Sequence, residues 1–142
     1  MIVEAILRTK GNDVVTLHET ASLGDASRTL DEHGIGAVVV VDRQARPVAV
    51  LSERDIVREV ALHGAAALDR PVSEAMTSVF VTARLDTGLN ELMVLMTDRR
   101  VRHVPIMEKA TMLGLVSIGD VVKAKIADME AETAALHAYI RS

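Results

Sequence analysis

Val48-Ala49-Val50-Leu51-Ser52-Glu53-Arg54-Asp55 and Leu113-Gly114-Leu115-Val116-Ser117-Ile118-Gly119-Asp120 read alike. Each is a short apolar run, then a serine, then an aspartate three residues later. A brief β-branched run bounded by polar residues predicts a buried strand. Serine is a preferred helix N-cap, and an acidic residue three positions on completes a capping-box pattern. Both stretches therefore predict a strand that turns directly into a helix.

Working outward, the similarity extends over most of the chain. An offset of 66 residues places Val15-Thr16 on Val81-Thr82, Leu23 on Leu89, Asp25 on Glu91, Leu30 on Met96, Val38 on Val104 and Asp42 on Glu108. One residue fewer in the second loop then brings the two quoted stretches into register. The lead-ins also correspond, Glu4-Ala5-Ile6 before the first unit and Glu74-Ala75-Met76 before the second. Each unit predicts a strand (Val14–Leu17; Val79–Ala83), a helix, a strand (Ala37–Val41; His103–Met107), a turn, a third strand (Pro47–Leu51; Met112–Val116) and a closing helix from about Glu53 or Ile118. Ser22 and Asp25 form a capping-box start for the first helix. Leu89, Leu92, Met93 and Met96 hold the one-face helical spacing of the corresponding later one. The expected fold class is α/β (α+β), two β-α-β-β-α repeats packed as one pseudo-two-fold module. Residues 1–66 form the first repeat with its lead-in, and residues 67–142 the second with a long last helix. A unit of about 50 residues is too small to bury its own core comfortably, so two are expected to pack together.

The last helix carries Val122, Ile126, Met129, Leu136 and Ile140, with Thr133 in the remaining place of a 4-3-4-3-4 series. That 3.5-residue period resembles a coiled-coil seam. It suits either an amphipathic helix lying on its own domain or a helix that pairs two chains.

Composition excludes several functions. Of 142 residues 49% are hydrophobic and 25% charged, and there is one Phe (Phe80), one Tyr (Tyr139), no Trp and no Cys. Disulfides, thiolate metal sites and cysteine nucleophiles are absent. So few aromatic rings argue against base-stacking platforms. A net charge of −4 without a dense Lys/Arg block argues against a phosphate-backbone binder. His18, His33, His63 and His137 lack ligand-like spacing and read as surface residues. No metal is expected. Nothing resembles a signal peptide or a bilayer-spanning run. A cytoplasmic chain with no nucleic-acid or membrane partner is the expectation.

A β-α-β-β-α repeat that ends in apolar-x-apolar-Ser-x-x-Asp, present twice in register, resembles the CBS repeat, named after cystathionine β-synthase. The resemblance covers about residues 1–127, leaving no separate catalytic domain. It implies a free-standing regulatory pair with two equivalent clefts, usually a homodimer, that takes an adenine ligand: AMP most readily, with ATP, ADP, NAD(H) or S-adenosylmethionine as alternatives. An unidentified regulated protein would read the ligand-dependent conformation. The other reading is a structural dimerisation module with vestigial pockets. An enzyme is not expected.

The nucleotide-binding residues are expected to be Thr16, Gly36, Ala37, Ser52, Arg54 and Asp55 in the first repeat, and Thr82, Arg102, His103, Pro105, Ser117 and Asp120 in the second. A helix N-terminus presents N–H groups to an anion. The acceptor-only carboxylates of Asp55 and Asp120 suit the two hydroxyl donors of a ribose. The simpler alternative is that these residues only cap their helices. Thr16 and Thr82 are expected to end the first strands and, by the resemblance, to edge an adenine pocket. Gly36-Ala37 corresponds to Arg102-His103, so the two sites are expected to differ chemically. Arg54, Arg102 and His103 are candidate phosphate contacts. Pro105, lacking an N–H, predicts an edge or interrupted strand.

Overall fold

Helix α1 (Val3–Lys10) leads into strand β1 (Thr16–His18) and helix α2 (Leu23–His33). Strands β2 (Ala37–Val41) and β3 (Pro47–Ser52) and helix α3 (Glu53–His63) follow. Two 3-10 turns, Gly64–Asp69 and Val72–Glu74, precede helix α4 (Leu89–Arg99), strands β4 (His103–Glu108) and β5 (Thr111–Ser117), and helix α5 (Ile118–Arg141). The computed structural model describes residues 1–76 and 80–141.

The chain separates into two units. One comprises Asp13–Phe80 and Ala110–Met112; the other comprises Met1–Asn12, Val81–Lys109 and Leu113–Ser142. Each has its own core. Leu23, Ala26, Leu30, Val38, Val40, Ala49, Leu51, Ile56 and Val72 are buried together in the first-repeat unit. Val3, Ile6, Leu7, Leu89, Leu92, Met96, Val104, Ile106, Val116 and Val121 are buried together in the second.

The lead-in Met1–Asn12, expected with the first repeat, packs in the unit of the second. The physical reason is the apolar face of α1, whose Val3, Ile6 and Leu7 enter that core. The Val3 N–H donates to the Thr87 carbonyl and the Leu89 N–H to the Met1 carbonyl. The exchange is reciprocal: the Val72 N–H donates to Ala21 and the Leu23 N–H to Arg70, so the second lead-in serves the first-repeat unit.

In the first-repeat unit the strand order is β1-β2-β3, with β1 parallel and β3 antiparallel to β2. The central strand, Ala37-Val38-Val39-Val40-Val41, is β-branched and buried through its first four residues, as a middle strand covered on its faces requires. Helix α2 begins with the expected capping box: Ser22 Oγ accepts the Asp25 N–H at 3.0 Å, and Asp25 Oδ2 accepts the Ser22 N–H at 3.1 Å. It stops at Gly34 in the left-handed region (φ 60°, ψ 40°), where the Ile35 N–H closes onto the Leu30 carbonyl. Its counterpart α4 stops at Arg100 in the same conformation (φ 54°, ψ 42°), with Val101 bonded to Met96.

The second unit differs at its first strand. Part of the expected Val79–Ala83 strand lies outside the described residues. Among those described, Phe80–Thr82 form no strand, and Ala83 makes a single parallel bridge to Ile106. The cause is Pro105. In the first unit the Val39 N–H donates to the Val15 carbonyl. The matching position is Pro105, which has no N–H to offer Val81, and the ladder ends. Pro105 lies within a continuous β4 rather than interrupting it, and its carbonyl accepts the Ala83 N–H.

Candidate functional site

At both β-to-α junctions the expected caps are present. Ser52 is the N-cap of α3: its Oγ accepts the Asp55 N–H at 3.4 Å, while Asp55 Oδ2 accepts the Ser52 N–H at 2.8 Å and its hydroxyl at 3.1 Å. Ser117 and Asp120 repeat the arrangement on α5, with Ser117 Oγ accepting the Asp120 N–H at 3.1 Å and Asp120 Oδ2 accepting the Ser117 N–H at 2.8 Å. Each serine ends its strand, and each helix start is tied to the residue just before the neighbouring strand, β2 or β4. The Glu53 N–H donates to the Gly36 carbonyl at 3.0 Å, and the Ile118 N–H donates to the Arg102 carbonyl at 2.8 Å.

These bonds bring together residues far apart in sequence. In the first unit Ala37 pairs with Ser52 across the β2–β3 ladder, so Gly36, Ala37, Ser52 and Asp55 meet at one sheet end. Thr16 begins β1 rather than ending it, because its pairing with β2 starts at Val39 and runs forward to His18. It stands exposed at the same end of the sheet. Arg54 is exposed on the first turn of α3. In the second unit Arg102 immediately precedes β4 and His103 opens it, beside the Ser117 junction. Thr82 is exposed one residue before the Ala83 bridge, not at a strand end, and Pro105 is buried.

The carboxylates are not equivalent. Asp55 is 8% exposed, and its Oδ1 accepts Arg58 Nη2 at 2.9 Å. With the two bonds to Ser52, both oxygens are engaged. Asp120 is more open. Its Oδ2 takes the Ser117 N–H and the Lys10 ammonium at 2.5 Å. Burial pushes the Asp120 carboxyl up, but Lys10 and the Ser117 N–H outweigh it and hold the group below its ordinary value. Lys10 also donates to the Leu115 carbonyl at 2.6 Å.

Sequence reasoning missed both basic partners. Arg58 was within reach of it, because Asp55 and Arg58 have the i, i+3 spacing of a helical ion pair. Lys10 was not, because only the packing of α1 brings it to a residue 110 positions away. The glycine of the second junction belongs to the same packing. A Cβ on Gly114 would lie 2.7 Å from Leu7 Cδ2, whereas the matching Ala49 is accommodated without exposure.

An open cleft of about 590 Å³ in the first unit is lined by residues including Leu30, Asp31, Gly34, Gly36, Ile56 and Val57. It shares Gly36 with the candidate set but not Ser52 or Asp55. Among the described residues no three His, Asp or Glu side chains are grouped to hold a metal ion, and no helix is long and apolar enough to cross a membrane.

The CBS domain family model matches residues 3–62 and 72–127. A mitochondrial CBS domain-containing protein of Arabidopsis thaliana is 36% identical over 121 residues. The match covers 82% of this chain and 59% of that protein, so the chain spans about three fifths of that relative's length. A solved CBS-domain containing protein of Agrobacterium tumefaciens superposes with a TM-score of 0.85 at 45% identity, over 87% of this chain and 92% of that one. A CBS domain protein of Pyrobaculum aerophilum, solved in complex with AMP, superposes at 0.74 with 29% identity, over 84% and 89% of the two chains. The two Ser-x-x-Asp junctions and the repeated α+β units thus have a common explanation: the chain belongs to the CBS domain family, as a tandem pair of repeats.

Proposed function

We propose that the chain is a non-enzymatic regulatory module that binds an adenine nucleotide, AMP in the first instance, and that Ser117 and Asp120 form its stronger site. The carrying observation is the unequal exposure of the two carboxylates. The Asp120 side chain is 24% exposed and so the more accessible to a ribose hydroxyl, whereas that of Asp55 is 12% exposed with Oδ1 bonded to Arg58. A carboxylate offers about four acceptor positions. Asp55 uses three of them in this structure. Arg102 and His103 at the second junction supply basic groups for phosphate, where the first has Gly36 and Ala37. The AMP complex of the Pyrobaculum relative supports the ligand class.

A ligand shifts a conformational equilibrium only by its differential affinity for the two states. On this reading AMP favours one state of a homodimer, and a partner protein reads it. The alternative, a structural module with vestigial pockets, draws on the capping boxes, which already give both aspartates a role without a ligand.

The test is calorimetric titration and thermal shift with AMP, ADP, ATP, NAD, NADH, S-adenosylmethionine and GTP. A ligand at 100 times its Kd stabilises the native state by about 2.7 kcal/mol. Stabilisation by AMP that Asp120→Asn weakens at least tenfold, and Asp55→Asn weakens less, is the expected result. No stabilisation by any of them at millimolar concentration would establish the structural reading instead. Phosphate release from ATP in proportion to the protein would overturn the non-enzymatic assignment.

A further inference from the structure

The first turns of α5 pack on the second-unit core through Val121 and Ala124. From Met129 through Arg141 every residue is exposed. The apolar series is exposed along its whole length: Val122 is 50% exposed, Ile126 52%, Met129 57%, Leu136 58% and Ile140 73%. At 100° per residue this stripe is centred about 100° around the helix from Val121, so it is separate from the face that meets the chain's own core. An apolar stripe along a helix that has left its own core is stable only when another surface covers it.

We infer that this stripe is the seam of a parallel two-stranded coiled coil with a second copy of the same helix. Three features of the sequence on the helix select this occupant and this direction. The spacing is that of alternating d and a positions: Val122, Met129 and Leu136 at d, and Ile126, Thr133 and Ile140 at a. Every a residue is β-branched and Leu136 is at d, the pattern that favours two parallel strands. The flanking charges choose the orientation. In a parallel pair Lys125 of one helix faces Glu130 of the other, and Glu132 faces His137. In the antiparallel pair of greatest overlap, Glu130 would face Glu130 and Glu132 would face Glu132, like charges in both layers. Thr133 opposite its own copy fixes the register, as a single polar a residue does.

This inference deepens the homodimer of the proposed function, and nucleotide binding is measured separately. The chain contains no cysteine, so an introduced one reports alone. Under mild oxidation, full-length Ile140→Cys should form a disulfide-linked dimer at least tenfold faster than Ala138→Cys, whose position is on the opposite face. Equal rates would overturn the parallel seam. So would an Ile140→Cys protein that cross-links only when Val122→Cys is also present, which would demonstrate the antiparallel arrangement. Sedimentation equilibrium gives the second arm. Met129→Glu/Leu136→Glu should weaken the dimer at least 100-fold with unchanged circular dichroism, since both positions are exposed. A dimer of undiminished affinity would show that another surface pairs the chains. Retained AMP binding by that monomeric variant would leave the nucleotide reading standing whatever the outcome at the helix.

Discussion

Removing the ammonium of Lys10 tests the packing that ties α1 to the second Ser-x-x-Asp junction. Lys10 Nζ lies 2.5 Å from Asp120 Oδ2 and 2.6 Å from the Leu115 carbonyl, with side chains 35% and 24% exposed for Lys10 and Asp120. A fully buried charge-assisted hydrogen bond contributes about 1.5–3 kcal/mol, and an exposed ion pair about 0.2–1 kcal/mol. The exposures lie between these limits, so Lys10→Met should cost about 1–2 kcal/mol for the two bonds together. With a urea m-value of about 2 kcal/mol/M, the denaturation midpoint should fall by roughly 0.5–1 M at neutral pH. Acidification supplies the control. The Asp120 carboxyl is held down in the folded chain, so its contribution is present above the unfolded carboxyl value of about 3.9 and is lost as pH falls through the folded one. The gap between wild type and variant should therefore narrow below about pH 4. Coincident midpoints at neutral pH, or a gap that persists undiminished to pH 2, would refute the assignment. In a double-mutant cycle with Asp120→Asn, coupling above about 0.5 kcal/mol is expected.

Three further substitutions probe the repeat. Arg100→Gly should raise stability by about 0.5–1 kcal/mol in urea melts, because Arg100 holds the left-handed conformation that Gly34 occupies at the matching helix end. A loss of stability would show that the Arg100 side chain contributes more than its backbone costs. Gly114→Val should cost about 1–3 kcal/mol by crowding Leu7, with the loss less than additive in a Leu7→Ala background. Arg58→Met should free Asp55 Oδ1 and strengthen AMP binding at the first junction in calorimetry. The expected stability cost is below about 1 kcal/mol, since the arginine is half exposed. Unchanged affinity would show that Arg58 does not restrain that carboxylate.

At the two Ser-x-x-Asp junctions strand and helix meet with no intervening loop. Ser52 closes β3 and opens α3, and Ser117 does the same for β5 and α5. A carboxylate in such a first turn is held by backbone N–H groups as well as by side chains, so its position varies little. What differs between the copies is the cation beside it. Arg58 comes from the same helix and follows it wherever it goes, whereas Lys10 comes from α1 and depends on the lead-in packing in that unit.

Much of this was local and hence legible in the residues alone. Aligning the apolar pattern with itself revealed the repeat, and within each copy the central strand Ala37–Val41, the capping boxes and the starts of α3 and α5 were legible because each depends on residues at most four apart. Pro105 signalled a broken ladder, but which strand would be shortened depended on its non-local partner, Ala83. The exchanged lead-ins, the contact of Leu7 with Gly114 and the Lys10–Asp120 pair were decided only by tertiary structure. A helix carries no record of which core its apolar face will enter. Likewise, a lysine's reach of a few ångströms selects a partner only after the chain has folded.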